Sequence, residues 1–162
     1  MVRINLIDPH KLADQHLIAE YNEILMLFGY VSKHPKPKGI PQNYRLGPGH
    51  IKFFKDKLLY LKDRHEEIAE EMKSRGFNPK VKVDLSPYDI ALLNNWSPNA
   101  HDIEIIQKRL LDKIFEKVDF YRYYGEKKKP EFFEKLITAG TANESEIKAN
   151  QRRQEYGSSL NS

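Results

Sequence analysis

MVRINLIDPHKLADQHLIAEYNE, residues 1–23, is a short apolar arm carrying one arginine that feeds directly into a helix. Asp8 before Pro9 supplies a capping oxygen followed by proline at the first helical position, which predicts a helix start. From there Ala13, Leu17, Tyr21, Ile24, Leu25 and Phe28 recur on one side at helical spacing, and Gly29 is the predicted stop. The other side carries Gln15, His16, Ala19, Asn22, Glu23 and Met26, so Glu23 faces away from the core stripe, where the arm or a ligand can reach it. Free ends usually fray. An apolar arm beginning at residue 2 therefore predicts a terminus held in place, and with it a held amine. Such an amine has an unperturbed pKa of about 7.7–8.0, and the neighbouring Arg3 pushes its neutral, nucleophilic fraction higher. That chemistry suits imine formation with a carbonyl-like carbon.

Outward from the arm the pattern stays helical. Residues 35–49 (PKPKGIPQNYRLGPG) hold four prolines and three glycines and read as a loop, made basic by Lys36 and Lys38. A second helix is predicted from Pro48 to Arg75, with Ile51, Phe54, Leu58, Leu61, His65, Ile68 and Met72 as its buried stripe and Gly76 as its stop. Residues 77–96 are irregular. Ser97-Pro98 opens a third helix through Lys117, buried along Ile103, Ile106, Leu110 and Ile114, with Asp102, Arg109, Lys113 and Glu116 on the opposite face. Pro130 to Ile137 adds a short helix. The expectation is an all-α, compact single domain over residues 1–140, built on three main helices, with the N-terminal arm threading to the active site. Residues 141–162 are polar and aperiodic, which predicts a disordered tail.

Bulk properties narrow the function classes. At 40% hydrophobic and 31% charged residues, the chain reads as globular and soluble, and a formal charge of +4 favours polyanionic partners. Zero cysteines exclude disulfides and thiolate metal sites. No apolar run approaches the ~20 residues of a membrane span, and no signal-peptide pattern opens the chain. The expected setting is therefore intracellular, cytoplasm or nucleoid, with no membrane partner and a monomeric state. The six histidines (10, 16, 34, 50, 65, 101) show no HExxH or related ligand spacing, so no metal and no cofactor is assigned.

Six strings in order carry a family resemblance: MVRINL at the start, LADQHLIAEY (12–21) followed by Glu23, FGYVSKH (28–34), LGPGHIKFFKDKL (46–58), KSRGFNPK (73–80) and YRYYG (121–125). Over residues 1 to about 129 the chain resembles the phage endonuclease V family of pyrimidine dimer DNA glycosylases. The resemblance implies an all-helical, metal-free repair enzyme that excises ultraviolet photoproducts from double-stranded DNA and then nicks the abasic site. It implies that the nucleophile is the amine exposed when the initiator methionine leaves, here that of Val2, and that Glu23 is the catalytic carboxylate. It further implies phosphate contacts from Arg3, Arg109 and Lys113, and places Gln15, His16 and Asn22 on the DNA-facing side. The segment Phe120-Tyr121-Arg122 interleaves aromatics with a cation, as a surface that stacks against bases does, and the resemblance sets it near the lesion.

Departures accompany the resemblance. Arginines beside and three residues beyond the family's catalytic glutamate are Asn22 and Met26 here, and Phe120 and Glu126 stand where the family has tryptophan and lysine. Losing two cations predicts a salt dependence of binding flatter by up to ~2 units. Two alternatives to the dimer glycosylase with lyase activity follow: an enzyme acting mainly on abasic sites or oxidised bases, or a helical DNA-binding module without catalysis. The second leaves Glu23 and the arm without a role.

Overall fold

The computed structural model describes residues 3–139. Val2 and the tail, residues 141–162, lie outside the described residues. Asp8 does cap a helix start, its carboxylate accepting the His10 N–H at 2.9 Å, but the result is one 3-10 turn, Pro9–Lys11. Helix α1, Asp14–Lys33, follows. Gly29 does not stop it. The helix ends only at His34, which precedes Pro35 and adopts φ −132°, ψ 66°, as the proline ring disfavours helical backbone in the residue before it. A glycine in mid-helix costs roughly 1 kcal/mol relative to alanine, too little to interrupt a helix whose next turn buries Val31 completely.

The single helix expected from Pro48 to Arg75 is two helices, α2 (His50–Phe54) and α3 (Leu58–Ser74). The cause of the break lies in a distant loop. The side-chain amide of Asn94 donates to the Asp56 carbonyl at 2.8 Å, while the Tyr60 N–H that would take that carbonyl in an unbroken helix donates to the Asn94 carbonyl at 3.3 Å. Asn94 thus stands between two rungs of the helical ladder. The Lys57 ammonium takes the Phe53 carbonyl at 2.8 Å and sits 3.9 Å from the Phe53 ring centroid. Gly76, at φ +88°, closes α3 as expected, with the Phe77 N–H on the Met72 carbonyl (2.9 Å) and the Gly76 N–H on the Lys73 carbonyl (3.0 Å).

Helix α4, Ala100–Glu116, begins at a capping box in which Asn99 and Asp102 exchange side-chain to backbone bonds. Asp102 is therefore buried in the cap rather than displayed on the outer face. Helix α5, Pro130–Thr138, packs on α4, and α1 packs on α3. The shared core takes Leu17, Ile24 and Leu27 from α1, Leu58, Leu61 and Ile68 from α3, and Ile106, Ile114 and Phe133 from the other pair, all but closed to solvent. No helix among the described residues is long and apolar enough to cross a membrane.

One small element was not anticipated: strands β1 (Arg122–Tyr123) and β2 (Glu126–Lys127) form an antiparallel hairpin. Its two turn residues, Tyr124 and Gly125, both have positive φ (52° and 82°), as a twist-matched two-residue turn requires. The Asp14 carboxylate accepts the N–H of both, at 3.1 and 2.8 Å, which offsets the cost of a tyrosine in left-handed backbone. Arg75, its side chain wholly buried, pairs with Asp14 at 2.9 Å and Glu71 at 2.9 Å, donates to the Leu12 and Pro9 carbonyls, and lies 4.8 Å from the ring centroids of both Tyr123 and Tyr124. Arg75→Ala leaves the buried Asp14 carboxylate unpaired and should lower unfolding free energy by about 3–5 kcal/mol in denaturant titration. Arg75→Lys should recover little, since one ammonium cannot reproduce a forked, stacked donor.

Candidate active site

Residues 3–5 run extended beside α1, and each backbone N–H in that stretch is accepted by a side chain. The Arg3 N–H bonds the Glu23 carboxylate at 2.5 Å, the Ile4 N–H bonds His50 Nε2 at 2.9 Å, and the Asn5 N–H bonds Glu20 Oε1 at 2.9 Å. Extended backbone aims successive N–H groups to opposite sides. Arg3 and Asn5 accordingly reach two carboxylates one turn apart on α1, and Ile4 reaches the other way to α2. Glu20 is fully buried and is held by Arg64, Nε at 2.7 Å and Nη2 at 3.1 Å. Arg64 also donates to the Ile7 carbonyl at 2.5 Å. At the base of the arm, Leu6 at φ +60° centres a three-residue turn in which the Ile7 N–H bonds the Asn5 carbonyl at 2.6 Å. This is the rarer, strained hand of that turn, stabilised here by the Arg64 contact.

Glu23 is half-buried, and burial pushes its carboxyl up to about 6, against the opposing pull of the Arg3 N–H bond. Near neutrality it is mostly ionised yet basic enough to accept a proton. His16, two turns earlier on α1, is held down to about 4 by burial and by the field of Arg109, so it is a neutral imidazole. Its ring lies 4.7 Å from that of Tyr121, and its Nδ1 has no hydrogen-bond partner among the described residues. Burial and the nearby Arg109 also lower Arg3. Arg3, His16, Glu23 and Arg109 thus form one electrostatically coupled cluster at the tip of the arm.

The remaining predicted residues spread over the rim. Gln15 donates to the Phe120 carbonyl at 2.8 Å and accepts the Arg122 N–H at 3.0 Å, so its amide clamps the segment before the hairpin. Within that segment Tyr121 turns inward and is buried, while Phe120 is 49% exposed and Arg122 is exposed. Asn22 and Met26 are both exposed, Met26 at 63%, on the side of α1 that carries Glu23. Lys113 lies one turn beyond Arg109 and pairs loosely with Glu116 at 3.4 Å. Arg109→Ala should weaken DNA binding and reduce its salt slope by about one unit, measured as affinity against salt concentration.

Glu20, Arg64 and Asp14 were not singled out from sequence, whereas His50, inside the string LGPGHIKFFKDKL, was read as a residue that orients DNA or the active site. Glu20 and Arg64 carry a usable signal: each sits inside an apolar stripe (17-20-21-24 and 61-64-65-68), and opposite charges in two facing stripes imply a buried pair.

A family model described as pyrimidine dimer DNA glycosylase matches residues 1–85 of the 162. The chain belongs to this family. As a pyrimidine dimer DNA glycosylase it is a DNA repair enzyme, and DNA is what it binds. The matched stretch takes in the arm, α1, α2 and α3, and so includes Glu23, His50 and Glu20, the three side chains that accept the arm N–H groups. Arg109, Lys113 and the hairpin lie beyond it. Among the described residues no three histidine, aspartate or glutamate side chains converge as a metal site would require.

Proposed function

We propose that the protein is a bifunctional glycosylase and abasic-site lyase acting on cyclobutane pyrimidine dimers in duplex DNA, with the Val2 amine as nucleophile. The observation that carries this reading is the bond from the Arg3 N–H to Glu23. By covalent geometry alone, the nitrogen of residue 2 is within about 3.6 Å of the Arg3 nitrogen. With the Arg3 N–H 2.5 Å from the Glu23 carboxylate, an amine there is at most about 6 Å from a carboxyl whose pKa is about 6.

The neutral amine attacks C1′ of the damaged nucleotide. The bond from C1′ to the base breaks, its electron pair leaving with the base, which gains a proton. Ionised Glu23 stabilises positive charge on the sugar as that bond lengthens. The ring then opens to an iminium joining residue 2 to C1′. Glu23 accepts a proton from C2′, the C–H pair becomes the C2′–C3′ double bond as the C3′–O bond breaks, and the 3′ phosphate departs with that bond's electron pair, nicking the strand. Hydrolysis of the imine returns the amine. Arg3 and Arg109 hold phosphate, and the exposed Phe120 supports an opened, kinked duplex near the lesion, where a damaged step costs less to unstack.

The test is single-turnover cleavage of three duplexes, containing a dimer, an abasic site, or no lesion. Cleavage of the first two and not the third is expected. Cleavage confined to abasic sites, with dimers left intact, would overturn the dimer assignment.

A further inference from the structure

The arm's hydrogen bonds bear on a residue that the chemistry above does not use. His50 is 1% exposed. Its Nδ1 donates to the Arg45 carbonyl at 2.8 Å, which leaves the Nε2 lone pair for the Ile4 N–H at 2.9 Å. The ring therefore has a single tautomer, and it must be neutral, because a protonated ring has no lone pair to offer. Burial favours that form, lowering its pKa to about 4. On the same residue of the arm, the Tyr44 hydroxyl donates to the Ile4 carbonyl at 3.3 Å. The Tyr44 and His50 rings meet edge to face at 5.6 Å, and the Ile4 side chain is fully buried. Ile4 is thus gripped at its N–H, its carbonyl and its side chain, two residues from the terminus that the mechanism requires to be exact in position.

We propose that His50 is a positioning residue for the nucleophile: by accepting the Ile4 N–H it sets the register of the arm, and through it the position of the residue 2 nitrogen against Glu23. The proposal rests on the reading of the Val2 amine as nucleophile. Glu20 holds the other side of the arm, but its loss would strand the buried Arg64 charge, so His50 is the position at which register separates from stability. The extended arm has a period of two, so a one-residue slip would turn Ile4 out of its pocket. Smaller drifts are what the His50 bond prevents, and a 1 Å displacement of a reacting group can cost ~10²-fold in rate.

The experiment compares His50→Leu, which removes the acceptor, with His50→Gln, whose amide oxygen falls near the place of Nε2. Single-turnover imine trapping by borohydride on a dimer duplex is read beside affinity for the same duplex without borohydride, and folding is checked by thermal unfolding. His50→Leu should trap at least about tenfold more slowly with affinity unchanged, and His50→Gln should stay within a few-fold of the wild type. If His50→Leu does not fold, Tyr44→Phe, which deletes only the hydroxyl on the Ile4 carbonyl, takes its place, with slower trapping supporting the proposal. Equal trapping rates in a folded variant and the wild type overturn it. A wild type that gives no adduct at residue 2 overturns instead the nucleophile reading on which the proposal stands.

Discussion

Glu23→Gln should lower single-turnover cleavage of dimer-containing DNA by ~10²-fold or more while leaving affinity intact or tighter. Glutamine keeps the size of the side chain and can still accept the Arg3 N–H, so the arm stays in place. What is lost is the negative charge beside a developing sugar cation and the base that takes the C2′ proton, each an effect of general acid–base or electrostatic size. Binding gains slightly because a carboxylate near phosphate is removed. The pH dependence identifies the group. With the Glu23 carboxyl at about 6, the wild-type rate should rise as pH passes through about 6, and that limb should vanish in Glu23→Gln. The linkage also runs toward stability. A folded carboxyl raised above its ordinary value of 4.5 holds its proton more tightly than the unfolded one. The contribution it makes to stability is present below 4.5 and is lost as pH rises through about 6. The variant should therefore unfold at the same temperature or higher than the wild type at neutral pH.

Protein that retains Met1 should lose more than ~10²-fold of its cleavage activity. The added residue moves the free amine upstream by up to ~3.6 Å, far beyond what near-attack geometry tolerates. The arm cannot slide back to compensate. Its N–H groups at 3, 4 and 5 are each engaged by a different side chain, and the turn at Leu6 closes its base. A one-residue slip exposes Ile4, and a two-residue slip carries the chain ~6.6 Å past its acceptors. Intact mass correlated with activity across preparations of mixed Met1 content checks this. Activity that does not track the fraction lacking Met1 would remove Val2 from the mechanism.

The parts of the fold legible in the sequence are those with local causes. Gly76 stops α3 because the left-handed residue and its two closing bonds lie within five positions; the start of α4 was placed at Ser97-Pro98 instead, and the Asn99/Asp102 box that makes it, though equally local, was not read. The break between α2 and α3 was not legible, because Asn94, which makes it, is 38 residues from Asp56. The hairpin was hidden for a similar reason. Tyr124-Gly125 lacks the usual asparagine or aspartate turn signal, and the carboxylate that supports it comes from Asp14 at the other end of the chain.

The site divides along the same line. Glu23 could be placed on the open side of α1 from spacing, and the resemblance supplied its role. The grip on the arm could not be foreseen, because Glu20 and Arg64 meet it only across helix packing, and His50, though noted for orientation, reaches Ile4 from 46 residues away. In the aromatic segment, alternation suggested three outward residues, yet Tyr121 packs inward on His16, leaving Phe120 and Arg122 at the surface.

An amine at residue 2 that forms the imine becomes a stable secondary amine on reduction. The most direct measurement is borohydride reduction during cleavage of a dimer duplex, followed by proteolysis and mass mapping of the crosslinked peptide. A sugar remnant on the N-terminal peptide, attached at the Val2 nitrogen with Met1 absent, is the expected result. Cleavage that proceeds without an adduct, or with the adduct on a lysine side chain, would contradict it.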